Sequence, residues 1–167
     1  RVRLAYNGDW RNSGIVASFV TANPHRLGTD VVLVYGDIVY EPSTIATALV
    51  SGTCPQGVTV PINTEWETLW SARMDDIYAD AESLILNENG SIREIGQPAA
   101  RPAQIQGQFM GVVLLDAATT TDIVQHYELQ RRQDAAPHPR RWDTTRLLTS
   151  WIESGKEVQS VPIAGGW

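Results

Sequence analysis

The sequence predicts one α/β domain in which helices cover both faces of a mixed, mostly parallel sheet, a three-layer α/β/α architecture. Strand-like apolar runs alternate with segments of helical periodicity along the chain. A length of 167 residues suits one domain with a sizeable core and is too short for two ordinary domains. An Asn-Gly turn near the middle adds one antiparallel hairpin to this plan.

The first half of the chain alternates strands with helices. Charged and apolar residues alternate over 1–6, which predicts a strand. Apolar residues at helical spacing predict helices over 13–22 and 42–50, and the second helix opens with a proline. A short strand over 58–62 follows, and Pro61 predicts that this strand lies at a sheet edge or ends early.

The most informative strand covers residues 30–35 and runs directly into Gly36 and Asp37. Its four consecutive apolar residues, with glycines before and after them, predict a central parallel strand that is buried on both faces. Ligands of open α/β sheets gather at the carboxyl ends of such strands. Asp37 is therefore the first candidate for a functional residue; the alternative is that it caps the following helix.

The middle of the chain combines a tryptophan-rich helix with the hairpin. Residues 64–74 carry Trp66 and Trp70 at helical spacing, so the two rings either form one stripe against the sheet or line a ligand site. The Asn-Gly turn at 87–90 joins the strands of the hairpin, because this dipeptide tolerates the positive φ angles that tight turns need.

The last third begins with a long strand over 106–116. Gly107 and Gly111 interrupt its row of side chains, and glycines within a strand often mark the close approach of a ligand or another backbone segment. The remaining predicted elements are a helix that is capped by Asp116 or Thr121 and runs to about residue 132, a helix over 143–154 and a final strand over 156–162.

The composition limits the classes of function. A formal net charge of −6 argues against a nucleic-acid-binding surface. No apolar run approaches the length of a membrane span, so no membrane partner is expected. The single cysteine, Cys54, excludes an internal disulfide and a cysteine-based zinc site, and it is interpreted as an ordinary loop thiol. The predicted compartment is the cytoplasm.

Short catalytic motifs such as a P-loop, a zinc-protease helix or a nucleophile elbow do not occur in the sequence. A basic loop is more suggestive, and its members are Arg131, Arg132, Arg140, Arg141 and Arg146. These arginines either belong to a solvated helix end, where positive charge is favourable, or form a funnel for phosphate-bearing ligands. Both interpretations remain open on the sequence alone.

Three segments together form a recognisable pattern. Residues 35–40 carry the Gly-Asp pair, residues 63–82 carry an Asn-Thr-Glu-Trp run followed by Trp70 and Arg73, and residues 106–111 read Gln-Gly-Gln-Phe-Met-Gly. Their order resembles the sugar-nucleotidyltransferase superfamily, and above all its cytidylyltransferases for phosphocholine and phosphonates. In that family the first segment presents a metal-binding Asp, and the other two line the acceptor pocket.

Within that superfamily the chain is most similar to the 2-hydroxyethylphosphonate cytidylyltransferase domain that is fused to phosphoenolpyruvate phosphomutase in fosfomycin biosynthesis. The resemblance implies a glycosyltransferase-A-like fold. It also implies transfer of CMP from CTP to 2-hydroxyethylphosphonate with release of pyrophosphate and with Mg²⁺ as cofactor. A fused phosphoenolpyruvate phosphomutase domain would be a further partner.

The resemblance also assigns roles to individual residues. Asp37 is expected to bind Mg²⁺ and to be catalytic together with Arg73, since developing charge on a transferring phosphoryl group must be neutralised. The expected substrate-binding residues are Asn63, Trp66, Trp70, Gln108 and Trp167. Among these, the three tryptophans would form walls around the small acceptor, or a cation–π cage if the acceptor were a choline derivative.

The chain departs from the family pattern in three ways. The family's Gly-rich nucleotide loop with its Pro-Lys segment does not occur in it, and neither does the acidic segment that carries a second metal-binding Asp after Gly-Gly-Trp. Residues 1–167 are therefore expected to be a nucleotidyltransferase domain without these segments, with Asp37 as one half of a metal site. The family's Asp before Thr-Glu-Trp is Asn63 here.

Two alternatives to the phosphonate cytidylyltransferase stay open. One is a nucleotidyltransferase for phosphocholine or a sugar phosphate, which would share the same fold and reaction type. The other is a non-catalytic nucleotide-binding domain, which the missing Gly-rich loop favours.

Overall fold

The structure is a computed structural model that describes residues 2–51, 57–79, 81–99, 101–133 and 138–167. Arg1, Cys54 and Asp80 lie outside the described residues, and so does the loop thiol predicted from Cys54. The helices are α1 (Ile15–Thr21), α2 (Pro42–Ser51), α3 (Trp66–Ser71), α4 (Ala117–Arg132) and α5 (Thr144–Glu153). The strands are β1 (Val31–Val34), β2 (Val58–Asn63), β3 (Glu82–Leu86), β4 (Ile92–Pro98), β5 (Gln108–Phe109), β6 (Val112–Leu115) and β7 (Val158–Ile163).

The main sheet is mixed, as predicted, but most of its pairings are antiparallel. Within the described residues β6 lies between β1 and β2 and runs opposite to both, and β5 also pairs antiparallel with β2. Among the described strands of that sheet, only β2 and β7 are parallel neighbours. The prediction of a mostly parallel sheet was wrong because a strand from late in the chain inserts between the two early strands, which nevertheless point in the same direction.

The β1 strand is an edge strand in the described chain, not the predicted central strand. Its one recorded partner there is β6, and the side chains of Val32 and Val34 are each 43% exposed. An uninterrupted apolar run is compatible with burial on both faces but does not require it. The strand and its Gly-Asp end were predicted correctly, whereas its position in the sheet was not.

The β2 strand is central and completely buried, although Pro61 predicted an edge strand. On one side it pairs with β6 through Val58 and Thr59, and farther along with β5 through Ile62 and Asn63. Pro61 lies between these two sets of pairs and has no paired residue on that side in the described chain. The β7 strand covers the opposite edge along the full length of β2.

The long strand predicted over 106–116 is interrupted at Met110 and Gly111, which separate β5 from β6. Gly111 has φ +74°, and a Cβ atom there would lie 2.8 Å from Cδ1 of Ile38 and 3.1 Å from the ring of Tyr35. The glycine is therefore required by both its backbone conformation and the close approach of the segment after β1.

Helices cover both faces of the sheet, which confirms the three-layer α/β/α class. On one face α1, α4 and α5 contribute to a large apolar core with β2, β6 and β7. On the other face, apolar residues of α2 pack against β6, β7 and Met110. The β3–β4 hairpin formed as predicted, with Gly90 at φ +79°, and it makes a separate two-stranded sheet against α5.

Residues 2–6 form no strand, in contrast to the prediction for 1–6, and their side chains are exposed. Among the described residues no strand lies beside this segment to pair with it. The alternation of charged and apolar residues alone is therefore not enough to form β-sheet hydrogen bonds. No helix in the described part of the chain is both long and apolar enough to span a bilayer.

Candidate functional site

The carboxyl ends of three strands meet at one edge of the main sheet. Because β1 and β2 both pair antiparallel with β6, and β7 pairs parallel with β2, all three point the same way. Asp37 follows β1, Asn63 ends β2, and the Gly165–Trp167 loop follows β7. Open α/β sheets bind ligands at such an edge, so this edge is the candidate functional site, and it contains the predicted Asp37.

Asp37 is exposed on a segment that is held at both ends. The backbone N–H of Tyr35 donates to the Gly111 carbonyl at 3.1 Å, and the Tyr40 hydroxyl donates to the Met110 carbonyl at 2.6 Å. Both acceptor carbonyls belong to Met110 and Gly111, the two residues that separate β5 from β6. The structure therefore presents the Asp37 carboxylate to solvent from a backbone that the sheet immobilises.

Tyr40 keeps its proton over the whole physiological pH range. Burial raises the pKa of its hydroxyl to about 12, and the negative charge of Asp37 adds to the rise. The hydroxyl therefore remains a hydrogen-bond donor to Met110 at neutral pH. Sequence reasoning did not single out Tyr40; the signal that could have found it is a tyrosine placed three residues after a strand-end Asp.

The Gly165–Trp167 loop joins two parts of the site. The Gly166 carbonyl accepts from the Glu41 backbone N–H at 3.1 Å and from Thr44 Oγ1 at 3.0 Å. Gly166 has φ +74°, and a Cβ atom there would collide with Thr44 Oγ1. The loop thus contacts the start of α2, directly after the Asp37 segment, and only glycine fits where it does so.

Asn63 connects the end of β2 to the same loop. Its side chain is 1% exposed, and its Oδ1 accepts from the backbone N–H groups of Glu65 at 2.9 Å and of Gly165 at 3.3 Å. Asn63 therefore has a structural function that a carboxylate oxygen could also perform. Its predicted contact with substrate stays a prediction.

An aromatic cluster lies beside this loop. Trp70 and Trp167 stack with ring centroids 5.2 Å apart and planes tilted by 32°, and Trp66 meets Trp70 edge-on at 6.5 Å. Trp66 is 3% exposed and Trp70 is 8% exposed, so both belong to an apolar core cluster. Trp167 is only partly buried. Trp66 and Trp70 thus fit the predicted apolar stripe. Trp167 is the ring that a ligand could contact without a change in the packing of the core.

Within this cluster Trp70 has one unusual feature. Its indole Nε1 is buried and has no hydrogen-bond partner in the described chain. An unpaired buried donor destabilises a fold by about 1–3 kcal/mol.

Gln108 and Arg73 occupy different environments. Gln108 is buried opposite Asn63 in the β2–β5 pairing, and its Nε2 donates to the Glu82 carbonyl at 2.9 Å. Arg73 lies just after α3 and is exposed, and the described residues form no recorded ion pair with its guanidinium. The structure thus pairs Asn63 with Gln108, joins Asn63 to the loop that carries Trp167, and stacks Trp167 on Trp70, while Arg73 is exposed just after α3. The functional roles of both Gln108 and Arg73 remain predictions.

The donor set at the edge suits a magnesium ion that is held mainly by its substrate. The described residues contain no cluster of three or more His, Cys, Asp or Glu side chains that could enclose a metal. Mg²⁺ in nucleotide sites commonly takes one or two carboxylates and completes its shell with phosphate oxygens and water. A single exposed carboxylate on a rigid segment, as at Asp37, fits that role.

Comparison with known proteins relates the chain to nucleotidyltransferases. No protein-family model matches the sequence. The chain is 26% identical over 169 residues to CTP:phosphoglutamine cytidylyltransferase of Campylobacter jejuni subsp. jejuni serotype O:2, and the match covers 96% of this chain and 65% of that protein. The chain thus spans just under two thirds of the length of this relative.

Solved structures share the fold at low sequence identity. The inositol-1-phosphate CTP transferase from T. maritima superposes with a TM-score of 0.63 at 16% identity, covering 93% of this chain and 54% of that one. A Bacillus anthracis protein provisionally assigned as a glucose-1-phosphate thymidylyltransferase, solved with a sucrose, gives 0.62 at 13% identity, with 93% and 55% covered. The predicted nucleotidyltransferase fold is therefore confirmed.

Proposed function

We propose that this chain belongs to a Mg²⁺-dependent cytidylyltransferase that transfers CMP from CTP to a small phosphonate or phosphate, with release of pyrophosphate. The observation that carries the proposal is the exposed Asp37 carboxylate on its immobilised segment, at the edge where three strands end. The fold and the similarity to a CTP-dependent enzyme support it. An acidic strand end alone would be compatible with many α/β proteins.

The reaction requires little covalent chemistry from the protein. An oxygen of the acceptor attacks the α-phosphorus of CTP, a new P–O bond forms, and the bond to the bridging oxygen breaks, so that pyrophosphate leaves with its electron pair. Bound Mg²⁺ would neutralise charge on the triphosphate, with Asp37 as its protein ligand. The protein's main contribution is to hold the two substrates in line and to exclude water.

The acceptor is proposed to lie against the aromatic cluster. The partly buried Trp167 offers an apolar wall, and the exposed Arg73 after α3 offers a positive charge for a phosphonate or phosphate group. The first acceptor to test is 2-hydroxyethylphosphonate, on the basis of the sequence resemblance. A phosphomonoester is the second, because the name of one similar protein specifies inositol-1-phosphate.

The test is a pyrophosphate-release assay on the full-length protein with CTP, Mg²⁺ and, in parallel, 2-hydroxyethylphosphonate, phosphocholine, inositol-1-phosphate and a hexose 1-phosphate. The expected result is release with at least one acceptor, and Asp37→Ala should lower kcat/KM by about 100-fold or more, because charge stabilisation is lost. Asp122→Ala removes an exposed carboxylate from α4 and serves as the matched control.

Three outcomes would change the proposal. Activity with phosphocholine or a sugar phosphate but not with 2-hydroxyethylphosphonate would replace the phosphonate acceptor. An Asp37→Ala variant with the full rate would remove the metal assignment. Binding of CTP without pyrophosphate release from any acceptor would favour the non-catalytic nucleotide-binding domain.

A further inference from the structure

The dipeptide Asn-Gly occurs twice in the sequence, at residues 7–8 and at residues 89–90. Because glycine has no side chain, its backbone nitrogen can approach the side chain of the preceding asparagine closely. The second of these dipeptides lies in the turn between β3 and β4, and the side chain of Asn89 is exposed there. Water therefore reaches the Asn89 amide.

Two donors of Ser91 polarise the side-chain carbonyl of Asn89. Its Oδ1 accepts from the Ser91 backbone N–H at 3.0 Å and from the Ser91 hydroxyl at 2.7 Å. The Asn87 Nδ2 donates to the same hydroxyl at 2.9 Å, so the hydroxyl proton is directed towards Asn89. Two donors on one carbonyl oxygen stabilise the negative charge that develops when a nucleophile adds to the carbon, as in an oxyanion hole.

A carboxylate lies beside the nitrogen of the same amide. The Asn89 Nδ2 donates to Glu157 Oε1 at 3.3 Å, and Glu157 directly precedes β7. A neighbouring negative charge favours the protonated form of a nitrogen, and a protonated nitrogen leaves a carbon more readily than a neutral one. Ser91 and Glu157 thus act on the two ends of the Asn89 amide.

The other Asn-Gly pair has a different environment. Within the described chain, Asn7 Oδ1 has one recorded donor, the Asp9 backbone N–H at 3.0 Å. Its Nδ2 donates to the hydroxyls of Ser13 and Ser18, each at 2.9 Å. These neutral partners hold the amide in place but supply no charge that would help its nitrogen to leave. Asn7 therefore serves as an internal comparison for Asn89.

We propose that Asn89 is a site of intramolecular deamidation, which Ser91 and Glu157 promote. The Gly90 backbone nitrogen adds to Cγ of Asn89 and gives its proton to solvent base, so that a new C–N bond closes a succinimide ring. The side-chain nitrogen takes up a proton and leaves as ammonia with the electron pair of the broken C–N bond. Water then opens the ring at either carbonyl, which gives aspartate or isoaspartate.

The turn must open locally before this reaction can occur. The Gly90 N–H donates to the Asn87 carbonyl at 3.0 Å, and this hydrogen bond has to break for the nitrogen to attack. The opening is confined to the tip of the hairpin and does not require the core to separate. The proposed reaction is therefore compatible with the folded protein, and it does not depend on whether the chain transfers CMP.

Deamidation would change how the hairpin binds to β7. The Gly90 carbonyl accepts from the Ser160 backbone N–H at 3.3 Å and from the Ser160 hydroxyl at 2.7 Å. Isoaspartate would lengthen the backbone by one carbon directly before Gly90, and aspartate would place a second carboxylate beside Glu157. Both products should therefore weaken the contact between the hairpin and β7.

The test follows both asparagines in the full-length protein during incubation in mildly alkaline buffer. Trypsin separates them into the peptides 4–11 and 74–93, in which mass spectrometry measures the replacement of the amide by a carboxylate. In the folded protein Asn89 should react about tenfold faster than Asn7, because its carbonyl and its leaving nitrogen are both assisted. In guanidinium chloride the two rates should become similar. An equal ratio of the two rates in the folded and the unfolded chain would overturn the proposal.

Two variants test the promoting groups. Ser91→Ala removes the hydroxyl donor and Glu157→Gln removes the negative charge, and each should slow the reaction at Asn89 by about threefold to tenfold. Glu88→Gln removes an exposed carboxylate from the same turn and is the matched control, which should leave the rate unchanged. Thermal unfolding checks that each variant is folded. A faster reaction in Ser91→Ala, or equal slowing by Glu88→Gln and Glu157→Gln, would overturn the proposal.

The effect on the hairpin is tested separately with Asn89→Asp, which reproduces one product. Its melting temperature should be lower than that of the unmodified protein by about 2–4 °C. An unchanged melting temperature would overturn the predicted weakening of the contact with β7.

Discussion

The Asp37 edge and the helical layer of α4 and α5 are held together in different ways. At the edge, hydrogen bonds join residues that are distant in sequence, such as Tyr40 with Met110 and Thr44 with Gly166. In the helical layer each helix start also carries a local cap, because the aspartate before the helix accepts from a backbone N–H three residues ahead. Residues of the edge therefore depend on contacts between distant segments, whereas the helix starts have additional support from neighbouring residues.

This difference predicts unequal tolerance to the same substitution. A change at the edge should disturb several segments together, since each contact there joins two elements. A comparable change at a helix end should be confined to one turn. Three experiments test that contrast, beginning with the largest expected effect.

Gly166→Ala should destabilise the protein much more than Gly155→Ala. Both glycines have positive φ, +74° and +83°, but a Cβ at Gly166 collides with Thr44 Oγ1, whereas a Cβ at Gly155 has no atom within 4 Å. The free energy of unfolding should fall by about 3 kcal/mol at the edge and by about 1 kcal/mol after α5. Urea unfolding measures both, and equal losses would contradict the close approach of the Gly165–Trp167 loop to α2.

Tyr40→Phe should lower the free energy of unfolding by about 1 kcal/mol, because the Met110 carbonyl loses its hydrogen-bond donor. If Asp37 binds Mg²⁺ as proposed, the variant should also need more Mg²⁺ for half-maximal pyrophosphate release, since the segment is less well held. Tyr6→Phe, in an exposed tyrosine, is the control. Unchanged Mg²⁺ dependence alongside the stability loss would limit Tyr40 to a structural role.

The smallest expected effect is a pH dependence in the helical layer. His126 contacts Ser150 Oγ at 2.9 Å and meets Trp151 edge-on at 5.4 Å, and burial lowers its pKa from the usual 6.5. The unfolded chain therefore binds a proton more readily than the folded one, so stability should fall as the pH drops through 6.5 and level off below the folded pKa. His126→Gln should flatten the dependence between pH 7.5 and 5.5; an unchanged slope would contradict it.

The elements that sequence reasoning placed correctly are those with local signals. The helices now described as α2, α4 and α5 were predicted within a few residues, and so was the Asn-Gly hairpin turn. The end of β1 was also predicted to within one residue, together with the Gly36–Asp37 pair beyond it. Caps, turn dipeptides and helical periodicity act over a few residues, so they can be read without knowing the fold.

The errors concern neighbours in the sheet. The β1 strand was predicted as central, β2 as an edge strand and 106–116 as unbroken, and all three depended on the late strand that enters between β1 and β2. The apolar run of β1 is compatible with a central or an edge position in the sheet, and the same is true of β2 with its Pro61. Strand order is set by which arrangement buries the most apolar surface overall, and no single segment carries that information.

The sequence by itself therefore determined the α/β class, the helix ends and the acidic strand end at Asp37. Only the tertiary structure decided that Tyr40 is anchored on Met110, that Asn63 holds the loop after β7, and that two of the loop arginines share a cleft while two others pair with carboxylates. The physical reason is distance along the chain. Hydrogen bonds and ion pairs between distant segments, such as Thr44 and Gly166 at a separation of 122 residues, form only once packing brings those segments together.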